Sequence, residues 1–279
     1  MGTLYVIGTP IGNLGDISPR AAGLLRSVSL VVAEDTRVTR KLLNHLDART
    51  PCISYHEHSP PAQLERVLAA LESGDVAQVT DAGSPTVSDP GPSLVEAAAT
   101  SGHEVVAVPG PSAITAALSI SGMPGDRFVF LGFLPRRGSE RRSVLSDAAA
   151  EIGTLVAFET PQRVVAALED VAATLGTRRL AVCREITKMH EEVFRGSAAE
   201  AVEYFSKGRP RGEFVLVIEG ASGARIEVTD EVIFEAKERL AGEGLSGRTL
   251  VEAVVDETGA PRRRVYRIVS GAGFDPSGE

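Results

Sequence analysis

The sequence predicts an α/β protein, built as two α/β domains followed by a small helical, helix-turn-helix-like domain. Three observations carry this. Over roughly the first 220 residues, short β-branched and aliphatic runs alternate with longer helical patterns, as strands and crossover helices do. The segment Met123–Asp126 (MPGD) breaks that pattern once. From Ala221 onward the strand-like runs cease and three short helical patterns follow. The domains accordingly read as 1–121, 122–222 and 223–279.

In the first domain the strand candidates are Leu4–Ile7, Leu30–Ala33, Val76–Thr80 and Val105–Val108. Helical stretches lie around Pro19–Arg26, Thr36–Leu46, Ala62–Leu71, Ser93–Thr100 and Ser112–Ile120, several with Ser, Thr or Pro at the start. The second domain continues with Phe128–Leu131, a helix through an arginine-bearing segment, Leu155–Phe158, a helix after Pro161, and Leu180–Cys183. Glu192–Gly196 and Glu213–Glu219, flanking a helix at Ala198–Phe205, allow antiparallel pairing, so this sheet is expected to be mixed. The tail offers helices at Asp230–Leu240, Gly247–Thr258 and Pro261–Val269, with Thr258-Gly259 as a turn. That pattern fits a helix-turn-helix or a plain helical hairpin equally.

Composition narrows the classes of function. Apolar residues make up 43% and charged residues 24% of 279, as in a globular protein able to bury a core without staples. Two cysteines, Cys52 and Cys183, give no disulfide framework or zinc site and read as buried thiols. The N-terminal MGTLYVIGTPIGNLGD lacks the features of a signal peptide, and no apolar run approaches the ~20 residues of a membrane span, so a cytoplasmic location is expected. A net charge of −8 argues against a general nucleic-acid coat, so any RNA contact must be local. Two segments could supply it: Pro135–Arg142 (PRRGSERR), with Arg136 and Arg137, and Thr258–Gly271, with Arg262 and Arg263. Composition alone fits solvated surface arginines as well.

Four strands run into turns rich in Gly, Pro or acid. The first enters GTPIGNLGD (Gly8–Asp16), which is neither GxGxxG nor a P-loop but lets backbone approach a ligand closely. The second ends in EDTR (Glu34–Arg37), where Asp35 reads either as a helix N-cap or as a cleft carboxylate beside Arg37. The third ends in DAGSPTVSDPG (Asp81–Gly91), where Gly83 permits positive φ and Ser84 offers a hydroxyl and an N–H. The fourth ends in PGPSA (Pro109–Ala113), which delivers Ser112 to a helix N-terminus. One such turn is routine; four at successive strand ends describe a small-molecule cleft. The second domain adds charged strand ends at Phe158–Arg163 (FETPQR), Arg184–Lys188 and Arg211–Val217.

Taken in order, GTPIGNLGD, EDTR, SYHEH (Ser54–His58), DAGSPTVSDPG, PGPSA, FLPR, FETPQR, CREITK and RGEFVLVIEG resemble the motif series of the RsmI family, the ribosomal RNA small subunit methyltransferase I group of the tetrapyrrole methylases. The resemblance spans about residues 3–220. It implies the tetrapyrrole-methylase fold, with S-adenosylmethionine between two α/β domains, a homodimer, and 2′-O-methylation of cytidine 1402 in 16S rRNA or the small ribosomal subunit. Position by position, it implies a cofactor shell of Pro10, Asp81, Gly83, Ser84, Val87, Ser112 and Ala113, joined by Phe158, Glu159, Glu185 and Val217.

Such a reaction needs the ribose oxygen aligned with methyl and sulfur, and a proton removed; no metal is expected. Asp35, Arg37, His56, Arg163 and Lys188 are the candidates for the RNA side of the cleft, with Asp35 or Lys188 for proton removal. Two rivals stand beside this reading: a C-methyltransferase of the same fold acting on a precorrin or uroporphyrinogen, and a non-enzymatic nucleotide- or RNA-binding module.

Overall fold

The computed structural model describes residues 1–56, 59–221 and 229–270; Glu57 and His58 of the SYHEH motif and Gly271 of the tail segment lie outside them. The chain divides into two compact units, Met1–Ala221 and Ser222–Glu279.

The first unit opens with β1 (Thr3–Ile7), α1 (Pro19–Ser27), β2 (Leu30–Ala33), α2 (Thr36–His45), β3 (Cys52–Ser54), α3 (Pro61–Ser73), β4 (Val76–Val79), α4 (Pro92–Thr100), β5 (Glu104–Val108) and α5 (Ala113–Ser121). The five strands form one sheet in the order β3-β2-β4-β1-β5, and every pairing is parallel. Alternation along β2 shows how both faces are buried. Val31 and Ala33 join the core beneath α1 and α2, while Leu30 and Val32 join the one beneath α3 and α4. Helix starts follow local chemistry: Ser18 caps α1 by accepting from Ala21 N at 3.1 Å, and Asp35 caps α2 by accepting from Arg37 N at 2.8 Å. The three-residue β3 is an element the sequence did not predict.

A second sheet follows, from β6 (Phe128–Phe133), α6 (Gly138–Asp147), β7 (Thr154–Glu159), α7 (Val164–Leu175), β8 (Arg179–Arg184), β9 (Glu192–Ser197), α8 (Ala198–Ser206) and β10 (Phe214–Ile218). Its order is β6-β7-β10-β8-β9; only β6 and β7 are parallel, so the sheet is mixed as expected. One face packs under α6, α7 and α8. The other packs against α5, whose Ile114, Ala117 and Leu118 share a core with Val156, Ala181, Val215 and Val217. Helix α5 thus follows β5 of the first sheet along the chain but packs on the second. Two five-stranded sheets, each with its own helices, agree with the α/β fold class read from the sequence.

The second unit holds α9 (Asp230–Gly242), α10 (Gly247–Thr258) and α11 (Arg262–Val269) around a core of Ile233, Leu240, Leu250, Val254, Val265 and Ile268. Gly259, at φ +66, closes α10 in the left-handed conformation that favours glycine. No described helix is long and apolar enough to cross a membrane.

Candidate functional site

Parallel pairing brings the carboxyl ends of β1, β2, β4 and β5 to one edge, and their loops are stitched together there. Thr9 and Gly83 exchange backbone hydrogen bonds of 2.8 and 3.1 Å. The Thr9 hydroxyl also donates to the Thr80 carbonyl at 3.2 Å. Gly8 and Gly110 are in backbone contact: a Cβ on Gly110 would fall 2.4 Å from the Gly8 oxygen. Past Gly83 the loop doubles back through Thr86 at φ 73 and Ser88 at φ 61, left-handed conformations uncommon for such residues. It closes at Gly91, φ +132, where a Cβ would overlap the Gln78 side chain.

Against this edge lies a cavity of about 520 Å³, the size of ordinary small-molecule sites. Asp81, Gly83, Ser84, Val87, Ser112 and Ala113 line it from the first sheet, and Phe158 and Glu159 from the second. These eight were named from the sequence. Glu34, Asp89, Ile11, Phe133 and Phe214 also line it and were not assigned a role. Phe158 packs edge-on against Phe130 and Phe133, with centroids 4.9 and 5.4 Å apart, making an aromatic wall. The backbone N–H groups at the start of α5 carry no side-chain cap.

The charge of the lining is one-sided. Among the described residues it holds five carboxylates (Glu34, Asp81, Asp89, Glu159 and Glu213) and no Lys, Arg or His. Two have cations behind them: Arg163 lies 2.7 Å from Glu159, and Lys188 2.9 Å from Glu213. The other three crowd one another. Burial, then the charge of Glu34, pushes Asp89 up to about 6; burial also raises Glu34 and Asp81, helped by repulsion from neighbouring carboxylates. Glu159 is 2% exposed; its Oε2 accepts from Thr160 N at 2.6 Å, whereas its Oε1 has no hydrogen-bond partner. An orphaned buried acceptor on a cavity wall suits a ligand donor.

The remaining sequence candidates fall elsewhere. Pro10 is buried between Thr9 and the lining residue Ile11. Val217 is fully buried opposite Val156 and Ala181, beneath the rim where Phe214 and Val215 reach the cavity. Glu185 sits outside the lining, accepting from Lys188 Nζ at 2.9 Å and Glu213 N at 3.0 Å. Asp35 lies beside the site, its N–H donating to Asp81 Oδ1 at 3.1 Å. Hydrogen bonds from Arg37 hold the Asp35 carboxyl down at about 2. Burial lowers Lys188, but its bonds to Glu185 and Glu213 outweigh this and keep it above the ordinary value.

The arginines divide sharply. Arg136 is exposed and Arg137 pairs with Glu140, but Arg141 of the same segment is buried against Asp170 at 2.5 Å. Arg163 is occupied by Glu159, the Thr160 hydroxyl and the Leu134 carbonyl. In α11, Arg262 pairs with Glu252 and Arg264 with Asp230, while Arg263 is exposed. His56 influences Glu34 electrostatically from the neighbouring loop. Among the described residues no group of three or more His, Cys, Asp or Glu is placed to hold a metal ion.

Fold and cleft are those of a methylase class: the family model for Tetrapyrrole (Corrin/Porphyrin) Methylases matches residues 3–202. Solved structures agree on the fold. Uroporphyrin-III C-methyl transferase from Thermus thermophilus, complexed with S-adenyl homocysteine, superposes with a TM-score of 0.56 at 19% identity, covering 78% of this chain and 97% of that one. The ribosomal RNA small subunit methyltransferase I of Synechocystis is 43% identical over 271 residues, covering 96% of this chain and 97% of that relative. The chain belongs to the ribosomal RNA small subunit methyltransferase I family of the tetrapyrrole methylases. A Thermotoga maritima protein of the same name is 46% identical over 221 residues, which cover 99% of it but 79% of this chain. That relative has no length left to match the remaining fifth.

Proposed function

We propose that the chain transfers the methyl group of S-adenosylmethionine to the ribose 2′-hydroxyl of a cytidine in small-subunit rRNA, cytidine 1402 of the decoding centre. The observation that carries the reading is the acidic, aromatic-walled cavity in a chain related over nearly its full length to rRNA small subunit methyltransferases.

The residues present fit the cofactor, a cation at sulfur with a zwitterionic amino-acid end. The orphaned Oε1 of Glu159 would accept from one of its N–H or O–H groups, and the free N–H groups at Ser112–Ala113 would take its carboxylate. Asp81, Gly83, Ser84, Val87 and Phe158 would complete the shell from this cavity; Pro10, Glu185 and Val217 would support it from behind. When bound, the cofactor supplies an electrophilic methyl group. The chain's task is then alignment, water exclusion and proton removal.

Asp35 is ionised at neutral pH and needs only to be freed from Arg37 to accept the ribose proton. Lys188 is itself protonated, so its first role is to position Glu185 and Glu213. Single-turnover methyl transfer tests this: Asp35→Asn should slow it by about a hundredfold or more, within the range of lost proton transfer. Near-normal rates in both Asp35→Asn and Lys188→Ala would remove the pair from the mechanism. Arg37, His56, Arg136, Arg137, Arg163, Arg262 and Arg263 are the proposed RNA contacts. Their present ion pairs make Arg136 and Arg263, both exposed, the readiest phosphate ligands.

The same lining disfavours both rivals, because an acidic macrocycle or a nucleotide triphosphate would meet five carboxylates and, among the described residues, no basic side chain. The deciding experiment incubates the protein with labelled cofactor and, in parallel, unmethylated small subunits, free rRNA and tetrapyrrole precursors. Label on one cytidine ribose is expected; label confined to a tetrapyrrole, or none, overturns the reading. A cytoplasmic homodimer completes the proposal, the stoichiometry checked by sedimentation.

A further inference from the structure

We infer that Glu34, Asp81 and Asp89 act together as a charge gauge that holds the cationic sulfonium cofactor more tightly than its neutral thioether product, so that methyl transfer itself loosens the spent ligand. This rests on the cofactor reading above and goes beyond it to product release.

The three carboxylates come from separate segments: the end of β2, the end of β4 and the far side of the glycine-proline loop. They meet on one cavity wall. The left-handed turns at Thr86, Ser88 and Gly91 carry Asp89 back to that wall rather than leaving it in solvent. The charged and polar groups that act on the cluster are Asp35, Arg37, His56 and the Thr80 hydroxyl. Arg37 is already engaged by Asp35, and no cation stands in the lining among the described residues. An independent mark of a missing ligand is the partnerless Oε1 of buried Glu159, on the same cavity. The reaction changes the charge these groups feel. The S–CH3 bond breaks, its electron pair stays on sulfur as a neutral thioether, the methyl bonds to the ribose oxygen, and the positive charge leaves as the hydroxyl proton.

Calorimetric titration of the full chain with S-adenosylmethionine, S-adenosylhomocysteine and the amine-bearing analogue sinefungin provides the test. At about pH 7.5 the sulfonium form should bind about tenfold more tightly than the thioether, with sinefungin tracking the cation. The gap should narrow at about pH 5.5 as the cluster takes up protons. Asp89→Asn and, separately, Glu34→Gln should each shrink it severalfold while leaving the thioether's affinity nearly unchanged, with circular dichroism checking the fold. Equal binding of all three ligands would overturn the inference, as would a parallel loss for both forms in either variant, since the cluster would then serve the ammonium they share. Failure of all three to bind would overturn the cofactor reading itself.

Discussion

Gly110→Ala isolates what the stitched loops contribute. The residue has no positive φ, so alanine meets no backbone penalty; the whole effect must come from space. A Cβ there would lie 2.4 Å from the Gly8 oxygen and 2.6 Å from its carbonyl carbon, where ordinary contact begins near 3.4 Å. The turns must therefore part by 3.4 − 2.4, or about 1 Å, and both sides are backbone. Overpacking of this kind costs about 2–3 kcal/mol, or about 5–10 °C in melting temperature for a unit of this size. The displacement passes directly to Ser112 and Ala113 on the cavity wall, and a misplacement of about 1 Å can cost about a hundredfold in function. Thermal melts and calorimetric cofactor titration read the two effects. Gly23→Ala is the control. It also has no positive φ, and its Cβ would meet nothing within 4 Å, so it should not destabilise the fold. If Gly110→Ala melts and binds like its parent, or Gly23→Ala is as damaging, backbone contact between the Gly8 and Gly110 turns is not what Gly110 supplies.

Other consequences are open to measurement. Arg141→Met should destabilise the fold by about 3 kcal/mol in denaturant titrations by leaving buried Asp170 with Arg142 alone, while Arg136→Ala should stay within about 0.5 kcal/mol. Asp89 has a folded value of about 6 against an ordinary 3.8, so its ionisation opposes folding as pH rises from about 4 to about 6. Asp89→Asn should therefore raise stability at about pH 7.5, by about 1 kcal/mol once solvent screening is discounted, and give no gain at about pH 4. Deleting 222–279 should leave cofactor affinity unchanged and lower the salt slope of RNA binding by about one or two; an unchanged slope would reject an RNA role for the tail.

Seventeen helical and strand segments were legible in the first unit; Cys52–Ser54 was not, because three residues at a sheet edge cannot show a period. The glycine-proline turns were equally legible, since their chemistry is local. What escaped depends on long-range placement. Arg141 reads like Arg136 beside it, and only Asp170 on α7 makes it structural. Val217 and Val215 share a face of a strand buried on both sides, so no polar alternation tells which reaches the rim. Phe133 and Phe214 carry no local sign of a cavity, although one is 52% exposed on the cavity wall and the other is buried at its edge. Asp89 looked like turn chemistry because its proximity to Glu34 is created by two strands far apart in sequence.

The position of β10 bears on how the chain assembles. It is the last strand among the described residues yet lies between β7 and β8, hydrogen-bonded to both. During synthesis, therefore, β7 and β8 cannot be joined through their native partner until Phe214–Ile218 has emerged. Until then two strand edges stand open, a condition that invites pairing with other chains. The first sheet has no such delay, since all its strands precede residue 109. The ligand cavity, walled by both sheets, is thus completed only when the final strand slots into the middle of the second.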